Sequence, residues 1–203
     1  MSQKTKGIYQ LLLNPQIYNF SQYIMSGTSF RKKLVEKLKI RENSKILDIG
    51  CGTCKVLDYC SGVTYYGYDT NLSCINYAKN KYGNRGVFKC KKITSSEIKI
   101  LPKFDYVFLF GIIHHLDDNE TIKLFKLLRK VLSKNGQILS EDPVIIKKQN
   151  FFAKFFAEKD RGNHVRTTVE YVRLVKKVFK YINWKITHQL FIPYTWFVMR
   201  IRN

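Results

Sequence analysis

At 203 residues the chain is long enough for one domain with a sizeable core and too short for two full ones. Hydrophobic residues make up 45% and charged ones 25%, a globular composition that excludes a disordered tail or a disulfide-rich secreted module. Lys and Arg number 36 against 15 Asp and Glu, a formal charge of +21, which suggests nucleic acid, an anionic membrane or an acidic substrate as partner. The competing reading is compositional. Lys, Ile and Asn are abundant and Ala is scarce, the bias that an AT-rich coding sequence produces without any functional demand.

Residues 1–6 lead into no sustained apolar run, so no secretory signal is expected. Residues 8–40 carry apolar positions at helical spacing, interrupted by Asn14-Pro15 and Gly27, and predict two or three short helices. Lys45 to Gly50 is a short buried-strand pattern ending in glycine. Lys55 to Cys60 reads as a short helical stretch, and Val63 to Tyr68 as a second strand ending at Asp69. Leu72 to Lys81 predicts a helix capped by Asn71 or Ser73, and Gly86 to Cys90 a third strand.

Asp105 to Phe110 is a continuous apolar run of the kind buried on both faces of a parallel sheet. Tyr106 to Ile113, the longest apolar stretch, is far too short to span a bilayer. The next helix opens at Asp117 with Glu120 at capping-box spacing, and Asn135-Gly136 is expected to stop it before a fifth strand over 136–140. After Pro143 the pattern breaks. Residues 160–166 read as a loop, Thr167 and Glu170 as another capping box, and 169–180 as a helix. Two final strands, 184–191 and 194–201, flank Pro193 and predict an antiparallel hairpin. Strands alternating with helices over 45–140 indicate an α/β sheet.

Five cysteines, an odd number, predict free thiols in a reducing cytoplasm. Cys51-x-x-Cys54 has the spacing of a metal or redox pair, but no second pair or Cys/His cluster completes a zinc site, so no metal is expected. Both residues fall inside a glycine turn. Gly50 and Gly52, at the carboxyl end of the first strand, let the backbone turn tightly and approach a ligand. Asp69 closes the second strand about 20 residues on, where a carboxylate can accept both hydroxyls of a ribose. The pair specifies an adenosine-type cofactor.

With these residues the chain resembles the class I S-adenosylmethionine-dependent methyltransferases, of the small single-domain kind that acts on small molecules. The resemblance covers nearly the whole chain. It is carried by Leu47-Asp48-Ile49-Gly50-Cys51-Gly52-Thr53, Tyr66-Gly67-Tyr68-Asp69, Phe104 to Val107 leading to Gly111-Ile112-Ile113-His114-His115-Leu116, and Leu128-x-x-Val131-Leu132 with Asn135-Gly136-Gln137. It implies a Rossmann-like, doubly wound, seven-stranded α/β sheet with the last strand antiparallel. Cover helices precede the sheet and a lid insertion follows strand 5. One domain then spans 1–203, with a helical cover over 1–40, a cofactor-binding core over 41–142, a lid over 143–168, and a helix plus hairpin over 169–203.

S-adenosylmethionine is the implied cofactor, held by Asp48, Gly50, Cys51, Gly52, Asp69, Thr70, Lys92, Ile93, Phe110 and Gly111, with Tyr18 and Gln22 from the cover helices. A dehydrogenase would want a third glycine where Lys55 stands. Two departures from the family pattern stand out. Cys54 occupies the place of the usual third glycine, and Lys91-Lys92-Ile93 stand where an acidic residue often binds adenine, leaving that contact to the backbone of Lys92 or Ile93 or to Thr94.

His114 and His115 follow the fourth strand, at the edge where ligands of such sheets lie, and one of them is the candidate general base. The bland alternative is core packing or helix capping. Asp142, Arg161, His164, Arg166 and Tyr194 are candidate acceptor contacts, the arginines suiting an acidic group. An ion pair bracing the loop competes for Arg161. Phe151, Phe152, Phe155 and Phe156 among lysines fit either a lid or a peripheral membrane contact. The segment after the fourth strand lacks the Pro-Pro-aromatic pattern that grips a flipped base, which argues against nucleic acid as acceptor. A nucleic-acid-directed enzyme and a non-catalytic cofactor-binding protein remain the competing readings.

Overall fold

The computed structural model describes residues 28–147, 149–151, 153–154, 162–188 and 194–203. The expected cover helices before residue 28, and with them Tyr18 and Gln22, lie outside the described residues, as does Arg161. Within the described residues the chain forms two units, 28–93 and 94–203.

In the first unit, helix α1 (Thr28–Glu36) precedes strand β1 (Lys45–Ile49). A 3-10 helix, Lys55–Tyr59, links β1 to strand β2 (Thr64–Asp69), in the place of the short helical stretch expected over 55–60. Helix α2 (Leu72–Tyr82) leads to strand β3 (Gly86–Cys90). The three strands are parallel, in the order β3-β2-β1, with Asp48 opposite Gly67. Asn71 is the cap of α2: its side chain accepts from the amides of Ser73 and Cys74, two donors that would otherwise lack a partner in the first turn. Ile46, Leu47, Tyr65 and Tyr68 of the strands and Cys74 and Ile75 of α2 are buried.

The second unit opens with helix α3 (Ser95–Ile100), capped by the Thr94 side chain, which accepts from the Glu97 amide. Strand β4 (Phe104–Phe110) is nearly all buried, as its unbroken apolar run predicts. Helix α4 (Asp118–Val131) carries the expected Asp117–Glu120 capping box and buries the stripe Leu124, Phe125, Leu128 and Val131. Phe125 meets Phe179 edge to face at 5.9 Å, and burying such a ring stabilises by roughly 1.5–3 kcal/mol.

The helix does not run to Asn135-Gly136. It ends at Val131, and strand β5 (Leu132–Ile145) begins at once. Pairing with β4 jumps from Phe104–Leu132 to Tyr106–Gln137, so residues 133–136 form a bulge in the strand. A Cβ on Gly136 would sit 2.7 Å from the Phe104 carbonyl oxygen, which is why glycine stands there. β5 also runs five residues past its expected end. Glu141, Asp142 and Pro143 therefore lie within the strand, paired with Val198, Phe197 and Trp196.

A two-residue strand, β6 (Arg166–Thr167), pairs with the end of β5; nothing in the sequence marked it. Helix α5 (Thr168–Lys176) has the expected Thr167–Glu170 capping box but stops four residues short of Lys180. Strands β7 (Tyr181–His188) and β8 (Thr195–Arg202) form the expected antiparallel pair, with β7 starting three residues before the expected 184, while residues 189–191 of the expected strand lie outside the described residues. The order is β4-β5-β8-β7, with β8 antiparallel to β5. The α/β class with the last strand antiparallel is as expected, as are seven strands, β3-β2-β1 in the first unit and β4-β5-β8-β7 in the second; among the described residues β6 is a further two-residue strand beside β5. No helix among the described residues is long and apolar enough to cross a membrane.

Candidate functional site: the glycine turn and the histidine pair

The turn after β1 is built from left-handed backbone. Gly50 has φ 68°, Gly52 φ 52° and Cys54 φ 57°. Glycine adopts this region without a Cβ penalty, so two of the three positions explain themselves. Cys54 does not, since a side chain there costs about 1–2 kcal/mol. Its thiol is fully buried, and the position usually held by the family's third glycine keeps the conformation that glycine would take. The departure is thus carried as local backbone strain at Cys54.

The turn is tied to β2 at three points. Gly50 and Cys51 donate their amides to the Tyr68 carbonyl at 2.7 and 3.2 Å. Gly52 donates its amide to Asp69 Oδ2 at 2.8 Å, while Asp69 Oδ1 accepts from the Asn71 amide at 2.8 Å. A carboxylate oxygen can accept more than one hydrogen bond, so the backbone contacts that hold Asp69 are compatible with a ribose-binding role. Close backbone, left-handed glycines and a fixed carboxylate fit an adenosine-type cofactor.

Asp48 is buried in β1, and its Oδ2 accepts the Tyr65 hydroxyl at 2.6 Å. Burial pushes its carboxyl up to about 7, against the lowering effects of Tyr65 and Arg31. The amides of Gly50, Cys51 and Gly52 go to Tyr68 and Asp69, so Asp48 is not the acceptor that satisfies them. Tyr65 was not anticipated as its partner, because the register of β2 on β1 decides which tyrosine faces it. Thr70, Lys91 and Lys92 are exposed at the ends of β2 and β3, and Ile93 is half-buried. Thr94, the side-chain alternative for adenine, caps α3.

In the second unit, Gly111 follows β4 at φ 69° and donates its amide to the Glu141 carbonyl at 2.7 Å. Phe110 is buried against Phe108, ring centroids 5.2 Å apart. His114 and His115 sit in a 3-10 turn, Ile113–His115, both buried, with ring centroids 4.0 Å apart. His114 Nδ1 lies 2.8 Å from Asp142 Oδ1, which also accepts the His114 amide at 3.1 Å. Burial raises the Asp142 carboxyl, and the contacts with His114 counter it. Its second oxygen, Oδ2, is buried and has no hydrogen-bond partner among the described residues.

The segment carrying His164 folds over this pair. His164 donates its amide to the His114 carbonyl at 3.0 Å, and a Cβ on Gly162 would overlap His114 Cδ2 and that carbonyl. Arg166, expected at the acceptor, has its guanidinium engaged within the protein. It donates to Asp118 Oδ1 from Nε and Nη2, and to the carbonyls of Ile113, His164 and Leu116. Its fork clamps the histidine turn to α4 and leaves little for a ligand. Tyr194 is buried with its ring 4.7 Å from that of Trp196. Gly162 and Asp118 were missed in the sequence because their roles depend on chain crossings about 50 residues apart.

Residues 22–178 match the family model described as a methyltransferase domain. The chain is 28% identical over 164 residues to the phosphoethanolamine N-methyltransferase of Plasmodium falciparum, covering 76% of this chain and 61% of that protein. It is 34% identical over 93 residues to the putative methyltransferase 235L of Invertebrate iridescent virus 6, covering 44% and 32%. The chain thus spans less than two thirds of the length of these curated relatives. Among solved structures, the plantazolicin methyltransferase BamL, in complex with S-adenosylhomocysteine and a triazolic substrate analogue, superposes with a TM-score of 0.70 at 18% identity, covering 96% of this chain and 93% of that one. A SAM-dependent methyltransferase from Archaeoglobus fulgidus gives a TM-score of 0.67 at 16% identity over 91% and 99%. Fold, family model and glycine turn agree: the chain belongs to the class I S-adenosylmethionine-dependent methyltransferases, with a Rossmann-like fold.

Proposed function

We propose that the protein transfers the methyl group of S-adenosylmethionine to a small-molecule acceptor bearing an acidic group, with the histidine pair after β4 taking the acceptor's proton. The observation that carries this reading is the buried His114–Asp142 contact at 2.8 Å. When bound, S-adenosylmethionine supplies an electrophilic methyl on a sulfonium. Gly50, Cys51 and Gly52 offer it close backbone, Asp69 the ribose acceptors, Asp48 an anion for the amino-acid end, and Thr70, Lys92 and Ile93 the edge beside adenine.

Asp142 holds the His114 ring with Nδ1 toward its carboxylate, so Nδ1 carries the proton and Nε2 the lone pair. A base so oriented removes the proton of an amine or hydroxyl as its lone pair attacks the methyl carbon in line. Asp142 Oδ2 is a further acceptor for the same group. Most of the acceleration comes from holding the reactants at attack distance, and a base adds about 10²–10⁴-fold. An acidic acceptor is supported by the excess of basic residues, Lys91, Lys92 and Lys147 among them, and by the phosphoethanolamine named for the Plasmodium falciparum relative.

Methyl-labelled S-adenosylmethionine, incubated with the protein and either phosphoethanolamine or a small-metabolite extract, tests this reading. Label is expected in a small anionic product identified by mass. Label confined to RNA would overturn it.

A further inference from the structure

We infer that Cys51 and Cys54 form a reversible disulfide that modifies the glycine turn and weakens cofactor binding; the second half rests on the reading that this turn holds S-adenosylmethionine. The two residues open and close a hydrogen-bonded turn in which the Cys54 amide donates to the Cys51 carbonyl at 2.8 Å. Turns of this kind bring their end Cα atoms within about 7 Å, inside the range a disulfide bridges.

The side chains converge as well. Both thiols point at the Gly52 carbonyl, at 3.8 Å from Cys51 and 3.9 Å from Cys54. Both sulfurs also lie 3.0 Å from the position a Cβ would occupy on Gly67 of β2. Glycine at 67 is what leaves room for two sulfurs side by side. All five cysteines are free. Cys60 and Cys74 are buried and Cys90 is exposed on β3, so the 51–54 pair is defined by mutual approach rather than by number.

The two residues differ in access: Cys51 is half-buried and Cys54 wholly buried, so of two enclosed thiols that of Cys51 is the one an oxidant reaches first. The oxidant we assign is a low-molecular-weight disulfide of the glutathione class. The Cys51 sulfur, as thiolate, attacks one sulfur of that disulfide, forming a mixed disulfide and releasing one thiolate. The Cys54 sulfur then attacks Cys51, breaking the mixed bond and releasing the second thiolate. Both cysteine protons end on the two released thiols, and two electrons pass from the protein to the reagent. Burial and the adjacent Cys54 thiol push the Cys51 thiol well above its ordinary value, so the first step is slow and the switch answers sustained oxidation.

The cross-link fixes the two Cβ atoms about 3.8 Å apart and removes both S–H donors from the Gly52 carbonyl. Cys51 lies between Gly50 and Gly52, whose amides anchor the turn to Tyr68 and Asp69. A turn held by the covalent bond no longer settles freely onto a ligand, and its partner Asp69 is disturbed with it.

The full chain is incubated with excess glutathione disulfide at mildly alkaline pH, alkylated and digested with trypsin. The peptide Ile46–Lys55 carries both cysteines and no other. It is expected to appear unalkylated and about 2 Da lighter than the dithiol form, and to revert with dithiothreitol. The doubly alkylated peptide, or one retaining glutathione on Cys51, overturns the disulfide. S-adenosylmethionine titrated into reduced and oxidised protein is expected to bind the oxidised form about tenfold more weakly. Equal affinities overturn the effect on binding while leaving the disulfide standing. A reduced protein that does not bind at all sinks the cofactor reading of the turn instead. Cys54→Gly, placing glycine at a φ of 57°, is expected to bind cofactor and to lose the oxidative response.

Discussion

His114 and Asp142 are joined twice through one oxygen: Asp142 Oδ1 accepts the His114 amide at 3.1 Å and faces its Nδ1 at 2.8 Å. One contact fixes the backbone turn and the other fixes the ring. A carboxylate in β5 thereby sets the orientation of an imidazole 28 residues earlier in the chain.

Asp142→Asn separates the two effects. The amide oxygen can still accept the backbone N–H, but it no longer favours a protonated imidazole. We expect kcat to fall about 10²-fold with little change in KM, and the acid limb of the pH–rate profile to move to lower pH. Steady-state kinetics across pH checks this; an unchanged profile would leave Asp142 a purely structural pin.

Gly162→Ala introduces a Cβ where His114 Cδ2 and the His114 carbonyl already stand. The segment must lift away, at a cost of about 1–3 kcal/mol. Activity is expected to fall through displacement of His114, while affinity for S-adenosylmethionine stays near that of the wild type. Calorimetric titration alongside a turnover assay distinguishes this from global unfolding.

Asp69→Ala removes the acceptor of two backbone amides, those of Gly52 and Asn71, as well as the proposed ribose contact. Affinity for S-adenosylmethionine should weaken by 100-fold or more, about 3 kcal/mol. An unchanged dissociation constant would mean that the ribose is held elsewhere.

Asp48 makes stability depend on pH in an unusual direction. Its carboxyl is raised from 3.8 unfolded to about 7 folded. Between those values the folded state binds more protons than the unfolded one, so stability falls as pH rises through this window. The loss amounts to on the order of 4 kcal/mol. Urea denaturation at several pH values should show this decline, and Asp48→Asn should flatten it. If Asp48 faces the cationic end of the cofactor, binding near pH 6 also releases a proton, which calorimetry in buffers of different ionisation enthalpy would detect.

Gly136→Ala tests the bulge in β5. The new Cβ would meet the Phe104 carbonyl at 2.7 Å, a backbone atom that cannot rotate away. Thermal melting should show destabilisation of about 1–3 kcal/mol. A neutral result would mean that the bulge relaxes.

Local signals carried most of the elements. Capping boxes at Asp117–Glu120 and Thr167–Glu170 formed as their spacing indicates, since each is closed within four residues. Asn135-Gly136 misled for an equally physical reason: a glycine that ends a helix and one that admits a bulge against a neighbouring carbonyl look alike in one dimension. The same holds for Arg166. Its sequence context suits an anionic ligand, and only the folded chain shows Asp118 and three carbonyls around it.

Globular composition, the glycine turn with Asp69 about 20 residues on, and the apolar run of β4 are legible in the sequence alone, and they suffice for the α/β class and an adenosine-type cofactor, to which the family resemblance adds S-adenosylmethionine. They do so because turn conformation and strand burial depend on residues close in sequence, and one strand–helix–strand unit sets the distance from the turn to the end of the second strand. Which side chains meet was decided by tertiary structure: Tyr65 on Asp48, Asp142 on His114, Gly162 over that histidine, and two thiols beside Gly67. Those contacts join residues that strand register and chain crossings bring together, and neither is written in local spacing.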